Sequence, residues 1–169
     1  MDELTGLATF RVLKDRLAQE LARSDRSGDQ FAVLFLDLDR FKRLNDERGH
    51  EAGNKVLATV GRELQQALRV TDLAARYGGD EFVAVLVRTG PPGAMKVAEA
   101  IRGAIEARGH GATVSVGVAA HDPQQATKQD VLEAADKALY RAKAQGGNAV
   151  VADFIIDESN SKGAESDGD

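Results

Sequence analysis

The sequence predicts an α+β domain in which helices pack on a mainly antiparallel sheet. Three observations predict it. Short apolar runs at Phe31–Leu36 and Phe82–Val87 have the length and β-branched or aromatic content of strands buried on both faces. Four longer stretches repeat apolar residues at helical spacing. The strand and helix signals also alternate irregularly, with one hairpin-like pair in the middle. That order fits helices covering one face of the sheet better than a repeated βαβ winding.

Each element follows from its local residues. Phe10, Leu13, Leu17 and Leu21 recur at helical spacing, which predicts an amphipathic helix over about Thr9 to Arg23. Gly28 closes that connection, and the first strand starts at Phe31. A short helix is expected over Phe41 to Glu47, broken by Gly49. Val56, Leu57, Val60, Leu64 and Leu68 mark a longer helix. Leu73–Tyr77 and Glu81–Val87 pair as a hairpin around Gly78-Gly79. Pro91-Pro92-Gly93 precedes a helix through Val97, Ile101 and Ile105, which Gly109 stops. Thr113–Ala119 alternates as a strand, Val131, Ala135, Ala138, Leu139 and Ala142 stripe a last helix, and Asn148–Phe154 is a last strand.

The chemistry concentrates at two strand ends. Gly78-Gly79-Asp80-Glu81 puts adjacent acids at the start of one apolar strand, beside backbone without side chains. Alone, that segment fits an ordinary hairpin with a solvated acidic turn. The other central run, Phe31–Leu36, ends in Asp37-Leu38-Asp39, with Asp37 and Asp39 on one face if the strand continues. Lys42 and Arg43 follow at once. Carboxylates at two strand ends with a lysine nearby suit a hard divalent cation beside a triphosphate.

In these segments the chain resembles a GGDEF domain, the catalytic module of diguanylate cyclases. The resemblance runs from Asp2 to about Phe154. It is carried by Asp2-Glu-Leu-Thr-Gly-Leu7, Phe35-Leu-Asp-Leu-Asp-Arg-Phe-Lys42, Leu44-Asn45-Asp46 and Gly49-His50. Arg76-Tyr-Gly-Gly-Asp-Glu-Phe82, Thr113-Val-Ser-Val-Gly117 and Ala135-Asp-Lys-Ala-Leu-Tyr-Arg-Ala-Lys143 complete it. It implies a ferredoxin-like palm similar to those of nucleotidyl cyclases. It also implies condensation of two GTP molecules into cyclic di-GMP, one 3′-hydroxyl attacking the α-phosphorus of the opposing GTP and expelling pyrophosphate.

The resemblance assigns roles residue by residue. Asp37, the Leu38 carbonyl, Asp80 and Glu81 are the implied metal ligands, for magnesium or alternatively manganese. Asp80 and Glu81 also serve catalysis, with Lys42. Phe41, Asn45, Asn54, Gly78, Gly79 and Lys143 are the implied substrate-binding residues; Lys42 and Lys143 meet phosphate and Asn45 meets guanine. Asp39 is expected to support this shell or to cap the helix that follows. Arg69-Val-Thr-Asp72, joined by Arg76, stands where family members bind the product as an inhibitor. Arginine can donate twice to the O6 and N7 edge of guanine.

Two positions depart from the family pattern. Asn54 stands where aspartate is usual, and its amide donor would face guanine's own donors. An adenine edge suits asparagine better. Gly147 stands where arginine is usual, so one phosphate contact is missing. Ala8-Thr9-Phe10 also replaces the usual Asn-Arg pair at the end of the opening motif. These departures leave a weakly active domain that binds cyclic di-GMP as an effector, and a cyclase of altered purine choice, as competing readings.

Composition bounds the rest. A chain of 169 residues suits one domain, placed at 1–156. Residues 157–169 carry five acids and one lysine, which accounts for −4 of the net −5, so that segment reads as a disordered acidic tail. The remainder is nearly neutral, which argues against a DNA or RNA partner. Zero cysteines and three histidines exclude disulfides and disfavour structural zinc. No apolar run is long enough to span a membrane and no signal peptide opens the chain, so a cytoplasmic location is expected. The resemblance further implies a homodimer for catalysis and a regulatory domain preceding Met1.

Overall fold

The computed structural model describes residues 1–125 and 130–154. The expected acidic tail and the domain limit at 156 lie outside the described residues. Ten elements follow in the predicted order: α1 (Phe10–Ser27), β1 (Phe31–Leu38), α2 (Phe41–Arg48), α3 (His50–Ala67) and β2 (Leu73–Arg76) lead. β3 (Glu81–Leu86), α4 (Pro91–Arg108), β4 (Val114–His121), α5 (Val131–Ala144) and β5 (Val150–Ala152) complete them.

The strands form one sheet in the order β2-β3-β1-β4-β5. β1 is central and antiparallel to both β3 and β4, β2 is antiparallel to β3, and β5 alone is parallel, to β4. The sheet is therefore mixed, with the mainly antiparallel character expected.

The expectation that helices cover one face is not met: both faces are covered. Ala32, Leu34, Leu36 and Leu38 of β1 enter a core with Val56, Val60 and Leu64 of α3 and Ile101 and Ile105 of α4. Phe31, Val33 and Phe35 enter a second core with Leu13 of α1 and Ala135 and Leu139 of α5. The cause is visible in the strand: β1 is apolar at both parities, and a strand with two apolar faces must be covered twice. The helix expected to follow Pro91-Pro92-Gly93 instead begins on the prolines, which occupy its first turn where no N–H donor is needed.

Parity also aims the chemistry. Asp37 follows Phe31, Val33 and Phe35 on the α1/α5 side of β1, so its carboxylate shares a face with α5. That helix is pressed onto the sheet at Gly117 of β4. A Cβ there would lie 2.0 Å from the Ala135 carbonyl oxygen and 2.3 Å from the Leu139 nitrogen. This contact carries Lys143, one turn further along α5, to the end of β1. No helix among the described residues is long and apolar enough to cross a membrane.

Candidate active site

Asp37 and Glu81 are direct partners across the β1–β3 ladder. The Leu38 N–H donates to the Asp80 carbonyl at 3.1 Å. Asp37 and Glu81 therefore face each other at one end of the sheet, with Asp80 held beside them through its backbone. The turn carrying Asp80 is closed by N–H donors of Tyr77 and Gly78 to the Glu81 carbonyl, at 2.8 and 3.2 Å.

Gly78 and Gly79 do not have the left-handed backbone that most of the described glycines beyond the helices and strands adopt. A Cβ on Gly78 would sit 3.3 Å from Glu81 Oε1, and one on Gly79 would meet nothing within 4 Å. Neither turn geometry nor packing requires glycine at 79. The space above its backbone is open, as a ligand approaching the main chain needs.

Lys143 supplies the positive charge. Its ammonium donates to the Leu38 carbonyl at 3.0 Å, the Asp37 carbonyl at 3.3 Å and Asp39 Oδ1 at 2.9 Å. Those bonds use all three of its donors. Asp37 Oδ1 lies 3.7 Å away and has no hydrogen-bond partner although buried. Burial pushes the Asp37 carboxyl up to about 7; Lys143 opposes the rise, and Asp80 and Glu81 add to it. Glu81 is raised by burial, by Asp80 and by Asp136, against Lys143. An under-compensated acidic cluster with an orphaned buried oxygen and a backbone carbonyl beside it is a donor set that fits a hard divalent cation. Among the described residues no three acidic or histidine side chains already converge as a closed metal cage. The fit thus rests on two or three carboxylates plus substrate oxygens, which is how magnesium is commonly held.

Asp39 does not cap α2. The N-cap is Arg40, in a left-handed conformation at φ 54° and without a side-chain cap. Asp39 instead accepts from Thr113 Oγ1 at 2.7 Å, Ser115 Oγ at 2.6 Å, the Asn148 N–H at 2.7 Å and Lys143. Burial raises its carboxyl, but bonds from Ser115, Thr113, Lys143 and Asn148 outweigh that and hold it below the usual range. Gly147 backs onto the same carboxylate: at φ +81°, its Cβ would lie 2.8 Å from Asp39 Cγ. An arginine side chain here would have to move the turn or Asp39.

Phe41, Asn45 and Asn54 gather where α2 meets α3. Gly53 is needed there, because a Cβ would lie 1.8 Å from Asn45 Oδ1 and 3.2 Å from Phe41 Cζ. Asn45 Oδ1 is buried without a partner, and Asn54 is exposed beside it. Lys42 is exposed on another face of α2 and makes no ion pair among the described residues.

A family model described as diguanylate cyclase, GGDEF domain, matches residues 1–149. The chain belongs to the GGDEF family. It is 43% identical over 152 residues to the diguanylate cyclase DgcP of Pseudomonas aeruginosa, and 38% identical over 159 residues to the response regulator PleD of Caulobacter vibrioides. Those alignments cover 86% and 89% of this chain but 22% and 35% of the relatives, so it spans about a fifth to a third of their length. Among solved structures it resembles the GGDEF domain of DgcB from Caulobacter crescentus, determined in complex with c-di-GMP. The TM-score is 0.83 at 32% identity, covering 90% of this chain and 95% of that one. These GGDEF domains share the nucleotidyl cyclase palm fold, as expected.

The expected inhibition residues of this GGDEF domain are divided. Arg69 Nε and Nη2 each meet an Asp72 carboxylate oxygen at 3.1 Å; Nη2 also reaches Thr89 Oγ1 at 2.9 Å and the Val87 carbonyl. Arg76 lies at the far end of β2, four residues and roughly 13 Å along the strand. Its guanidinium donates to the carbonyls of Gly78 at 3.2 Å and Gly79 at 2.9 Å, and to Asp2 at 3.3 Å. The structure thus brings Arg69 and Asp72 together and ties Arg76 to the glycine turn. Asp2, Thr113, Ser115 and Asp136 were not assigned roles from sequence. Asp2 opens the Asp2-Glu-Leu-Thr-Gly-Leu7 motif, but its partner Arg76 is 74 positions away.

Proposed function

We propose that this domain condenses two GTP molecules into cyclic di-GMP with release of pyrophosphate. The observation that carries this reading is the register of Asp37 opposite Glu81, with the Gly79 backbone open above the turn. Asp37, the Leu38 carbonyl, Asp80 and Glu81 would hold magnesium, or manganese, which polarises phosphoryl oxygens and lowers the barrier to forming an alkoxide. Asp80 and Glu81 orient the attacking hydroxyl. Lys42 meets the phosphates from α2. Lys143 steadies the end of β1 and must release one of its three bonds to reach phosphate. Phe41, Asn45 and Asn54 form the base-reading corner, where Asn45 Oδ1 is a buried acceptor in want of a donor. Each domain holds one GTP, so two copies must face each other. Arg69, Asp72 and Arg76 form the product-inhibition site, which requires Arg76 to leave the carbonyls it now holds.

Asn54 supports a second reading, a cyclase that admits adenine. Its amide cannot accept both donors that guanine presents, and one hydrogen bond fewer at this exposed position costs about 0.5–1.5 kcal/mol. Incubation of concentrated protein with magnesium and GTP, ATP or both, followed by mass spectrometry, decides between them. Cyclic di-GMP alone, with specific activity rising with protein concentration, is expected. An adenine-containing product favours the second reading, and Asn54→Asp should then restore GTP preference. No product, even after forced dimerisation, with cyclic di-GMP still bound, would leave the domain as an effector.

A further inference from the structure

The Gly78-Gly79 turn has no side chain of its own to pack, so the residues flanking it decide where Asp80 stands. Arg76 grips the turn by the carbonyls of Gly78 and Gly79. Tyr77 is the last residue with a side chain before the glycines, and its N–H closes the turn on the Glu81 carbonyl at 2.8 Å. The Tyr77 hydroxyl makes no hydrogen bond among the described residues, so packing of the ring alone fixes that side chain.

Two other rings meet it edge-on. Phe35 of β1 lies with its centroid 4.9 Å from that of Tyr77, at 63°. Phe35 is buried and precedes Asp37 by two residues on the same face of β1. Phe10, the first residue of α1, meets Tyr77 at 5.2 Å and 82°. Lys14, one turn along α1, stands over the Phe10 ring at 5.6 Å. The main chain prepares this contact. Ala8 joins β2 as a parallel bridge to Ala75, donating to the Ala74 carbonyl at 3.1 Å and accepting from the Arg76 N–H at 2.9 Å. The register that ties Ala8 to Arg76 carries Phe10 to Tyr77. Phe10 is nonetheless 42% exposed, so it adds little to the core. It also belongs to the Ala8-Thr9-Phe10 stretch that departs from the family pattern. A half-exposed ring on an irregular stretch thus touches the side chain that anchors the entering limb of the glycine turn.

We infer that Phe10 is a positioning residue: through Tyr77 it holds the glycine turn, and with it Asp80, against the end of β1 that carries Asp37. The path is short. The Leu38 N–H donates to the Asp80 carbonyl at 3.1 Å, so a turn that tilts away at Tyr77 also loosens this bond. An aliphatic side chain at position 10 fills space but offers no ring edge. Losing an edge-to-face pair shifts a local equilibrium by about threefold to tenfold. This role rests on the cyclase reading for the reaction it serves; the brace itself does not.

Hydrogen exchange followed by NMR tests the brace directly. Phe10→Leu should speed exchange of the Tyr77, Gly78 and Leu38 amides by about threefold to tenfold, and Phe10→Tyr should keep the parent rates. Leu21→Ala, roughly 16 Å further along α1, is the control. It lowers the melting temperature from a position remote from Tyr77 and should leave those three amides at the parent rates. Tyr77 is one of two tyrosines in a chain without tryptophan. In a Tyr140→Phe background it is the sole source of near-UV tyrosine dichroism, which Phe10→Leu should weaken. With magnesium and GTP, Phe10→Leu should lower kcat by about threefold to tenfold at unchanged KM, because the base and phosphate contacts lie elsewhere. Turn amides unchanged in Phe10→Leu, or equally accelerated in Leu21→Ala, would overturn the inference. Accelerated amides with kcat unchanged would overturn it too, by removing the role in the reaction. Accelerated amides in a domain whose parent makes no cyclic dinucleotide would keep Phe10 as the brace and reject the cyclase reading instead.

Discussion

Replacing Asp37 by asparagine should stabilise the metal-free domain above neutral pH. The Asp37 carboxyl is raised from 3.8 to about 7, first by burial and then by Asp80 and Glu81 acting against Lys143. Between about pH 4 and pH 7 the folded state keeps a proton that the unfolded state has released. Stability therefore falls as pH rises across that window, and the full cost of the charge is present above it. That rise corresponds to about 4 kcal/mol. The side chain is 28% exposed, so solvent screening reduces the expected gain to about 2 kcal/mol. For a chain of this size this is roughly 4–8 °C in melting temperature. Asparagine keeps the shape and removes the charge, and Lys143 retains its three bonds to the β1 end. Glu81 is raised by burial, Asp80 and Asp136, so the difference between the proteins reports Asp37. The assay is denaturant unfolding in chelator from pH 5 to pH 8.5. A variant no more stable than the parent at pH 8, or a difference that does not vanish toward pH 4, would refute the reasoning. Magnesium should close the gap by stabilising only the parent.

Asp39→Ala should cost about 3 kcal/mol in urea unfolding, because it leaves Thr113, Ser115, Lys143 and the Asn148 N–H without their shared acceptor. Gly117→Ala should cost about 3 kcal/mol or more, since its Cβ would overlap the α5 backbone, and it should show as reduced soluble yield and melting temperature. Arg69→Ala should abolish cyclic di-GMP affinity by titration calorimetry, and should also lower stability by about 1 kcal/mol through lost bonds to Asp72 and Thr89.

Much of this domain was legible in the chain. Element order followed from periodicity because every helix stripe and strand run is local. The meeting of Asp37 with Glu81 was anticipated, since both end apolar strands that have to be central. Other parts depended on distant partners. Asp39 reads as a support for the carboxylate shell or as a helix cap; the cap does not form, because its acceptors are taken by Thr113, Ser115 and Asn148, more than 70 positions on. The resemblance groups Arg76 with Arg69 and Asp72; in the fold β2 lies between them, and Arg76 pairs with Asp2, 74 positions away.

What the sequence by itself determined is the set of elements, the central strands and the family's carboxylates, because these depend on side-chain pattern within a few residues. The tertiary structure decided which face each group uses and what shares it. Packing of α5 on Gly117 places Lys143 among the carbonyls of β1, and the approach of α1 to the end of β2 sets Phe10 against Tyr77. Such juxtapositions arise from the way helices dock on a twisted sheet, and no local run of residues encodes them.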